Sequence, residues 1–187
     1  MSMNTALITS ASDLDEFCAA LAAPPAIGLD TEFMRERTYR ADLCLLQAAT
    51  PRQAACIDPL ALDSLAPLAP AFGSQGPLKI LHAARQDLEV LWTAVGPIGP
   101  VFDTQVAAAL AGLPAQVGYA ELVRQLLGHE LAKAHTRTDW SRRPLSDEQL
   151  AYAIDDVRYL APLRDALLER LDGLGRIAWL EEELQAI

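Results

Sequence analysis

The sequence predicts an α/β domain, a mixed β-sheet flanked by α-helices, on three observations. Short apolar runs bounded by turn residues dominate the first half, strand and helix spacing alternate through the middle, and from Tyr119 onward the pattern is helical. Residues 26–33, 43–48 and 54–58 read as strands, and their short connections favour an antiparallel meander. Pro59 opens a helical stretch to about Phe72, which the Gly- and Pro-bearing run 73–77 breaks. Residues 78–82 look like a buried strand, and residues 85–95 have helical spacing that the Gly/Pro run 96–100 ends. Val101 and Phe102 form a short strand running into a helix near Asp103. Further helices are expected over 119–127, from Ser146 to about Leu171, and over 175–185. Ser146 and Gln149 carry a capping-box signature, and the connection 128–145 is polar and basic.

A chain of 187 residues suits one domain, and no repeat or linker divides it. With 51% hydrophobic and 21% charged residues it supports a sizeable core, which excludes wholesale disorder, a collagen-like repeat and a coiled coil. Fifteen basic against 25 acidic residues give a net charge of −10. Such a chain does not coat nucleic acid or anionic membrane by charge alone, so a nucleic-acid role requires a local basic strip or divalent metals. Cys18, Cys44 and Cys56 are odd in number and widely spaced, which argues for buried thiols in a reducing cytoplasm rather than disulfides or a zinc knuckle. The first residues do not read as a secretory signal. The longest nearly apolar stretch, 17–29, contains Pro24 and Pro25 and is too short to span a bilayer, so a soluble cytoplasmic protein without a membrane partner is expected.

The most informative residues are Asp30 and Glu32. At i and i+2 of a strand their carboxylates leave the same face, next to apolar residues. Like charges there repel and resist desolvation unless a cation neutralises them, and oxygen-only ligands suit Mg²⁺ or Mn²⁺; the alternative is a solvated strand end. Asp87 falls in the first turn of a helix, whose dipole favours its anion, and Asp103 has the same setting at the next strand-to-helix junction, where a capping role suffices. Asp156 lies four residues after Tyr152, on one helical face, whereas Asp155 is displaced toward solvent.

Three runs in register, Asp30-Thr31-Glu32-Phe33, His82-Ala83-Ala84-Arg85-Gln86-Asp87 and Tyr152-Ala153-Ile154-Asp155-Asp156, strongly resemble ribonuclease D, of the 3′-to-5′ exonucleases named for four acidic residues and a tyrosine. Arg137-Thr138-Asp139-Trp140-Ser141-Arg142-Arg143 extends the likeness. The resemblance implies a ribonuclease-H-like fold. It also implies a catalytic set of Asp30, Glu32, Asp87, Tyr152 and Asp156, with the four acids as ligands of two Mg²⁺ or Mn²⁺ ions. Asp30 would bridge both ions, Glu32 and Asp156 would hold the one that activates water, Asp87 would steady the other through water, and Tyr152 would orient the attacking water. The activity implied is release of nucleoside 5′-monophosphates from RNA 3′ ends, in tRNA or other structured-RNA processing, with single-stranded DNA as a further possible substrate. The family usually carries helical domains after the nuclease; here a single exonuclease domain over 1–187 is expected, without a C-terminal helical nucleic-acid-binding domain.

Lys133, His135, Arg137, Arg142 and Arg143 form a basic strip that suits phosphate, or else a solvated connection. Arg35, Arg37 and Arg40 follow the first motif and can line the same groove. Phe33 and Tyr39 can stack on terminal bases, although Phe33 equally suits the core. His82 reads as a satisfied core histidine, and Trp92, Trp140 and Trp179 as structural. Two other classes share this pattern: an inactive nuclease-like binding module, which would lose acids, and a metal-dependent phosphatase on small nucleotides, which would not need the strip.

Overall fold

The computed structural model describes residues 4–35, 41–132 and 138–187. A six-stranded mixed sheet runs in the order β1-β4-β3-β2-β5-β6, from β1 (Asn4–Ile8), β2 (Ala26–Met34), β3 (Asp42–Ala49), β4 (Gln53–Ile57), β5 (Leu78–Leu81) and β6 (Val101–Asp103). The expected meander is its centre, with β2–β3 and β3–β4 antiparallel. β1 joins β4, β5 joins β2 and β6 joins β5 in parallel.

Alternation along the buried strands sends side chains into two cores. Ile27, Leu29, Leu46, Ala48, Ile57 and Leu81 face α1 (Ala11–Leu21), α2 (Ala69–Phe72) and α3 (Arg85–Val95), meeting Leu14, Leu21, Phe72 and Leu91. Ala26, Leu45, Ala49, Cys56, Ile80 and Phe102 face the opposite layer. That layer holds α4 (Thr104–Leu110), α5 (Tyr119–Leu127), α6 (Asp147–Arg158), α7 (Leu160–Gly173) and α8 (Ile177–Gln185). Its α6 packs across β2, β3 and β4. The Ser146/Gln149 capping box is formed in full at the start of α6.

Several expectations need correction. The run Asn4–Ile8 is an edge strand and Ala11–Leu21 a helix, neither of which was anticipated. The helix expected from Pro59 begins only at a 3₁₀ turn, Ala66–Leu68, leading into α2. Before it the chain turns on Asp58, whose carboxylate accepts the Leu60 N–H at 2.9 Å. The long helix from Ser146 is two helices that break at Tyr159, whose N–H also reaches the Tyr119 hydroxyl at 3.3 Å. Of the three tryptophans only Trp140 is buried; Trp92 and Trp179 are 62% and 55% exposed. No helix among the described residues is long and apolar enough to cross a membrane.

The break between α6 and α7 positions the site. A Cβ at Gly28 would stand 2.9 Å from the Val157 carbonyl oxygen and 3.2 Å from the Leu160 side chain. Only a bare backbone at residue 28 lets the end of α6 settle this closely on β2, two residues before Asp30.

Candidate active site

Three elements deliver the acids. β2 carries Asp30 and Glu32 on its α6-facing side, α6 brings Asp156, and α3 brings Asp87 in its first turn. Carboxylate oxygens of Asp30, Glu32 and Asp156 all lie within 4.8 Å of one another. Asp87 is buried, accepts the Thr31 hydroxyl, and raises the protonation of both Asp30 and Glu32. It sits in the first turn of α3 without capping it, since Ala84 occupies the N-cap. Asp103 does cap: it takes the Gln105 and Val106 N–H groups of α4 and the Ala83 and Ala84 N–H groups before α3.

The cluster is electrostatically frustrated. Burial, then Asp87, Asp156 and Glu32, push the Asp30 carboxyl well above the usual carboxylate range. Burial with Asp156 and Asp87 lifts Glu32 to about 8. Burial lifts Asp156 to about 7 although the Tyr152 hydroxyl bond opposes it, and lifts Asp87 to about 6 against its Thr31 bond. No basic side chain among the described residues offsets these charges. Four oxygen donors that repel one another unless a cation lies between them are a fitting donor set for a hard divalent ion.

Tyr152 lies on the same face of α6, hydrogen-bonded to the Asp156 carboxylate, with its ring 6.2 Å from Trp140. Burial and the carboxylates push its phenol pKa up, so it stays protonated. A small cavity of about 160 Å³ touches Asp30, His82, Tyr119, Tyr152 and Asp156. A hollow of about 410 Å³ continues past Tyr119, Glu121, Leu131, Tyr152 and Asp156. His82 is satisfied as expected, by Thr104 and the Val117 carbonyl, yet it also lines the site. Tyr119 was not anticipated there; its only signal was an aromatic opening a helix.

The other expected residues scatter. Asp155 does not face open solvent but pairs with Arg158 at 3.0 Å. Phe33 is half-buried at the end of β2, past a register shift after Glu32. Arg35 is partly exposed and pairs with Glu89 at 3.3 Å, and Arg142 is 84% exposed beside Asp139. Arg143, expected on the phosphate strip, turns inward instead. Its guanidinium holds both oxygens of buried Asp58 at 2.6 and 2.7 Å and three backbone carbonyls, those of Cys44, Trp140 and Arg142. Lys133, His135, Arg137, Arg37, Tyr39 and Arg40 lie outside the described residues.

A six-stranded mixed sheet with acids converging from its second strand and two helices fits a class of 3′-5′ exonucleases, and the chain belongs to it: a 3′-5′ exonuclease family model matches residues 5–172. Within that class the likeness read from the motifs holds. Ribonuclease D of Jannaschia sp. is 48% identical over 183 residues, covering 95% of this chain and 47% of that protein. The crystal structure of Escherichia coli RNase D superimposes with a TM-score of 0.92 at 37% identity, over all of this chain and 49% of that one. The chain thus spans about half the length of the curated relatives it matches. Brucella melitensis NrnC with bound Mg²⁺ matches with a TM-score of 0.83 at 27% identity, over 99% of this chain and 89% of that one.

Proposed function

We propose that this chain is the catalytic part of a metal-dependent 3′-5′ exoribonuclease that releases nucleoside 5′-monophosphates from RNA 3′ ends. Its work would lie in trimming tRNA or other structured RNA, with single-stranded DNA a further substrate. The observation that carries the reading is the convergence of Asp30, Glu32 and Asp156 within 4.8 Å, with Asp87 buried beside them. Among neighbours of the same fold, Brucella melitensis NrnC binds Mg²⁺ and Escherichia coli RNase D is an exoribonuclease involved in structured RNA processing. Both support the assignment.

Asp30, Glu32, Asp87 and Asp156 would hold two Mg²⁺ or Mn²⁺ ions. When bound, such ions would lower the pKa of the attacking water and stabilise charge on the leaving 3′-oxygen. The chain's own groups do the rest. The protonated Tyr152 hydroxyl, fixed by Asp156, orients the attacking water rather than deprotonating it. Water adds to the terminal phosphorus, the P–O3′ bond breaks, and the 3′-oxygen takes up a proton. The hollow past Tyr119 and Leu131 receives the terminal nucleoside. Arg35 and Arg142, together with Lys133 and Arg137, offer charge to phosphates upstream, and Phe33 offers a stacking surface. The three free thiols, two of them buried, suit a reducing cytoplasm.

The test is a time course on a 3′-extended RNA with Mg²⁺ or Mn²⁺. Products should shorten one nucleotide at a time, release mononucleotides, stall at a 3′-phosphate and cease in excess chelator. Cuts within a circular RNA would overturn the reading, as would hydrolysis of free mononucleotides in preference to oligonucleotides.

A further inference from the structure

Gln47 is wholly buried, and among the described residues neither its Oε1 nor its Nε2 has a hydrogen-bond partner. A fully buried side chain with both polar atoms orphaned is rare, because desolvation is then uncompensated. Its place in the sheet is telling. Gln47 stands directly opposite Asp30 on β2 and Cys56 on β4. Directly opposed residues share a face with Cβ atoms about 4.5–5.5 Å apart, so the amide projects on the side of the sheet that carries the acid cluster. Along its own strand the neighbours on that face are Leu45 and Ala49, and α6 roofs it with Ala153, Ile154 and Val157. Among the side chains directly opposite, only the Asp30 carboxylate and the Cys56 thiol offer polar atoms.

We infer that Gln47 is a positioning residue for Asp30: orphaned in the metal-free chain, its amide turns on metal binding to donate an Nε2–H to one oxygen of the Asp30 carboxylate while the other oxygen faces the divalent cation. The inference rests on the metal reading of the cluster proposed above. An amide suits this position better than a charged group would. A lysine or arginine would neutralise Asp30 outright and compete with the cation, whereas a neutral donor orients the carboxylate and leaves its charge available. The buried Cys56 thiol, held in its protonated form by burial, can donate in turn to Oε1. Partners one step behind the ligands hold their orientation, and losing one weakens metal binding about 10- to 100-fold.

The test compares the wild-type chain with Gln47→Met and Gln47→Leu by isothermal titration with Mn²⁺ and by thermal melting with and without it. Two apolar replacements of different shape guard against one that fails to pack. The metal-free variants should melt at or above the wild-type temperature, since an orphaned amide is removed. Their Mn²⁺ dissociation constants should rise at least about tenfold, and the melting shift produced by Mn²⁺ should shrink. On RNA, kcat should fall at low Mn²⁺ with KM unchanged and recover as Mn²⁺ is raised. A well-folded variant that binds Mn²⁺ like the wild type would overturn the role of Gln47 alone, as would variants that melt lower with unaltered affinity. A wild-type chain that takes up no Mn²⁺ would overturn the metal reading and this inference together.

Discussion

Two sets of buried charge in this molecule are handled in opposite ways. At Asp58 the carboxylate meets the Arg143 guanidinium along both oxygens, and three backbone carbonyls take its remaining N–H groups. Burial raises the Asp58 pKa, but the Arg143 bonds outweigh it and hold the acid below its usual range. At Asp30, Glu32, Asp87 and Asp156 four carboxylates face one another without a basic partner among the described residues, and every one of them is raised. The first arrangement is complete within the chain and therefore structural. The second is complete only with something added from outside, and that incompleteness marks it as a site.

The contrast is broken most sharply by Asp30→Asn. It should abolish RNA cleavage while raising the metal-free melting temperature, by about 2–4 °C for each kcal/mol of repulsion relieved. Melting scans in chelator beside a cleavage assay check both halves, and a variant that melts lower would remove the frustration argument.

Next in size is Tyr152→Phe. If the hydroxyl orients the water, kcat should fall about 10- to 1000-fold with KM and Mn²⁺ affinity little changed. The loss should be milder than that of Asp156→Asn, which removes a ligand. Steady-state kinetics decide it: normal kcat with only a lowered melting temperature would make the tyrosine structural.

Arg143→Ala probes the other half. It leaves Asp58 buried and unpaired, at a cost of about 2–3 kcal/mol once the 26% exposure of the arginine side chain is allowed for. Denaturant titration should show that loss, with kcat on the folded fraction near normal. Arg143→Lys should recover little, since an ammonium cannot fork across two oxygens.

A fourth effect is in pH. Acids whose folded pKa is raised carry no penalty below about pH 4, where both states are protonated, and a growing one as pH climbs toward the values of about 6, 7 and 8 at Asp87, Asp156 and Glu32. Metal-free stability should therefore decline from pH 4 to 8, and Mg²⁺ or Mn²⁺ should flatten the slope. The Asp58 pair has the opposite sign: its contribution is present at neutral pH and lost as pH falls below the ordinary Asp value. Melting curves across pH, with and without metal, separate the two.

What was legible in the sequence follows the range of the interaction concerned. The meander, β5, α3 and the α6 cap rest on local alternation, helical spacing and turn chemistry, and all are present. The edge strand Asn4–Ile8 gave no such signal, because it is exposed over most of its length and is held by parallel pairing with β4, far along the chain. Residues 59–65 kept a helical look although Asp58 draws them into a turn. In the site, the motifs named the acids that converge. They were silent on Arg143, whose inward turn depends on a carboxylate 85 residues away, and on Gln47, whose neighbours are set by register rather than by any nearby residue. Composition marks an arginine as basic; only the fold says which acid already holds it.

The notch at Gly28 has a consequence in time as well as in space. Asp30 and Glu32 leave the ribosome early, paired within a hairpin that forms locally, whereas Asp156 arrives only when α6 is complete and can seat against residue 28. A chain under synthesis therefore carries an incomplete acid cluster until Asp156 has been made. The cluster closes only with one late docking step, the seating of the sixth helix against the second strand at residue 28.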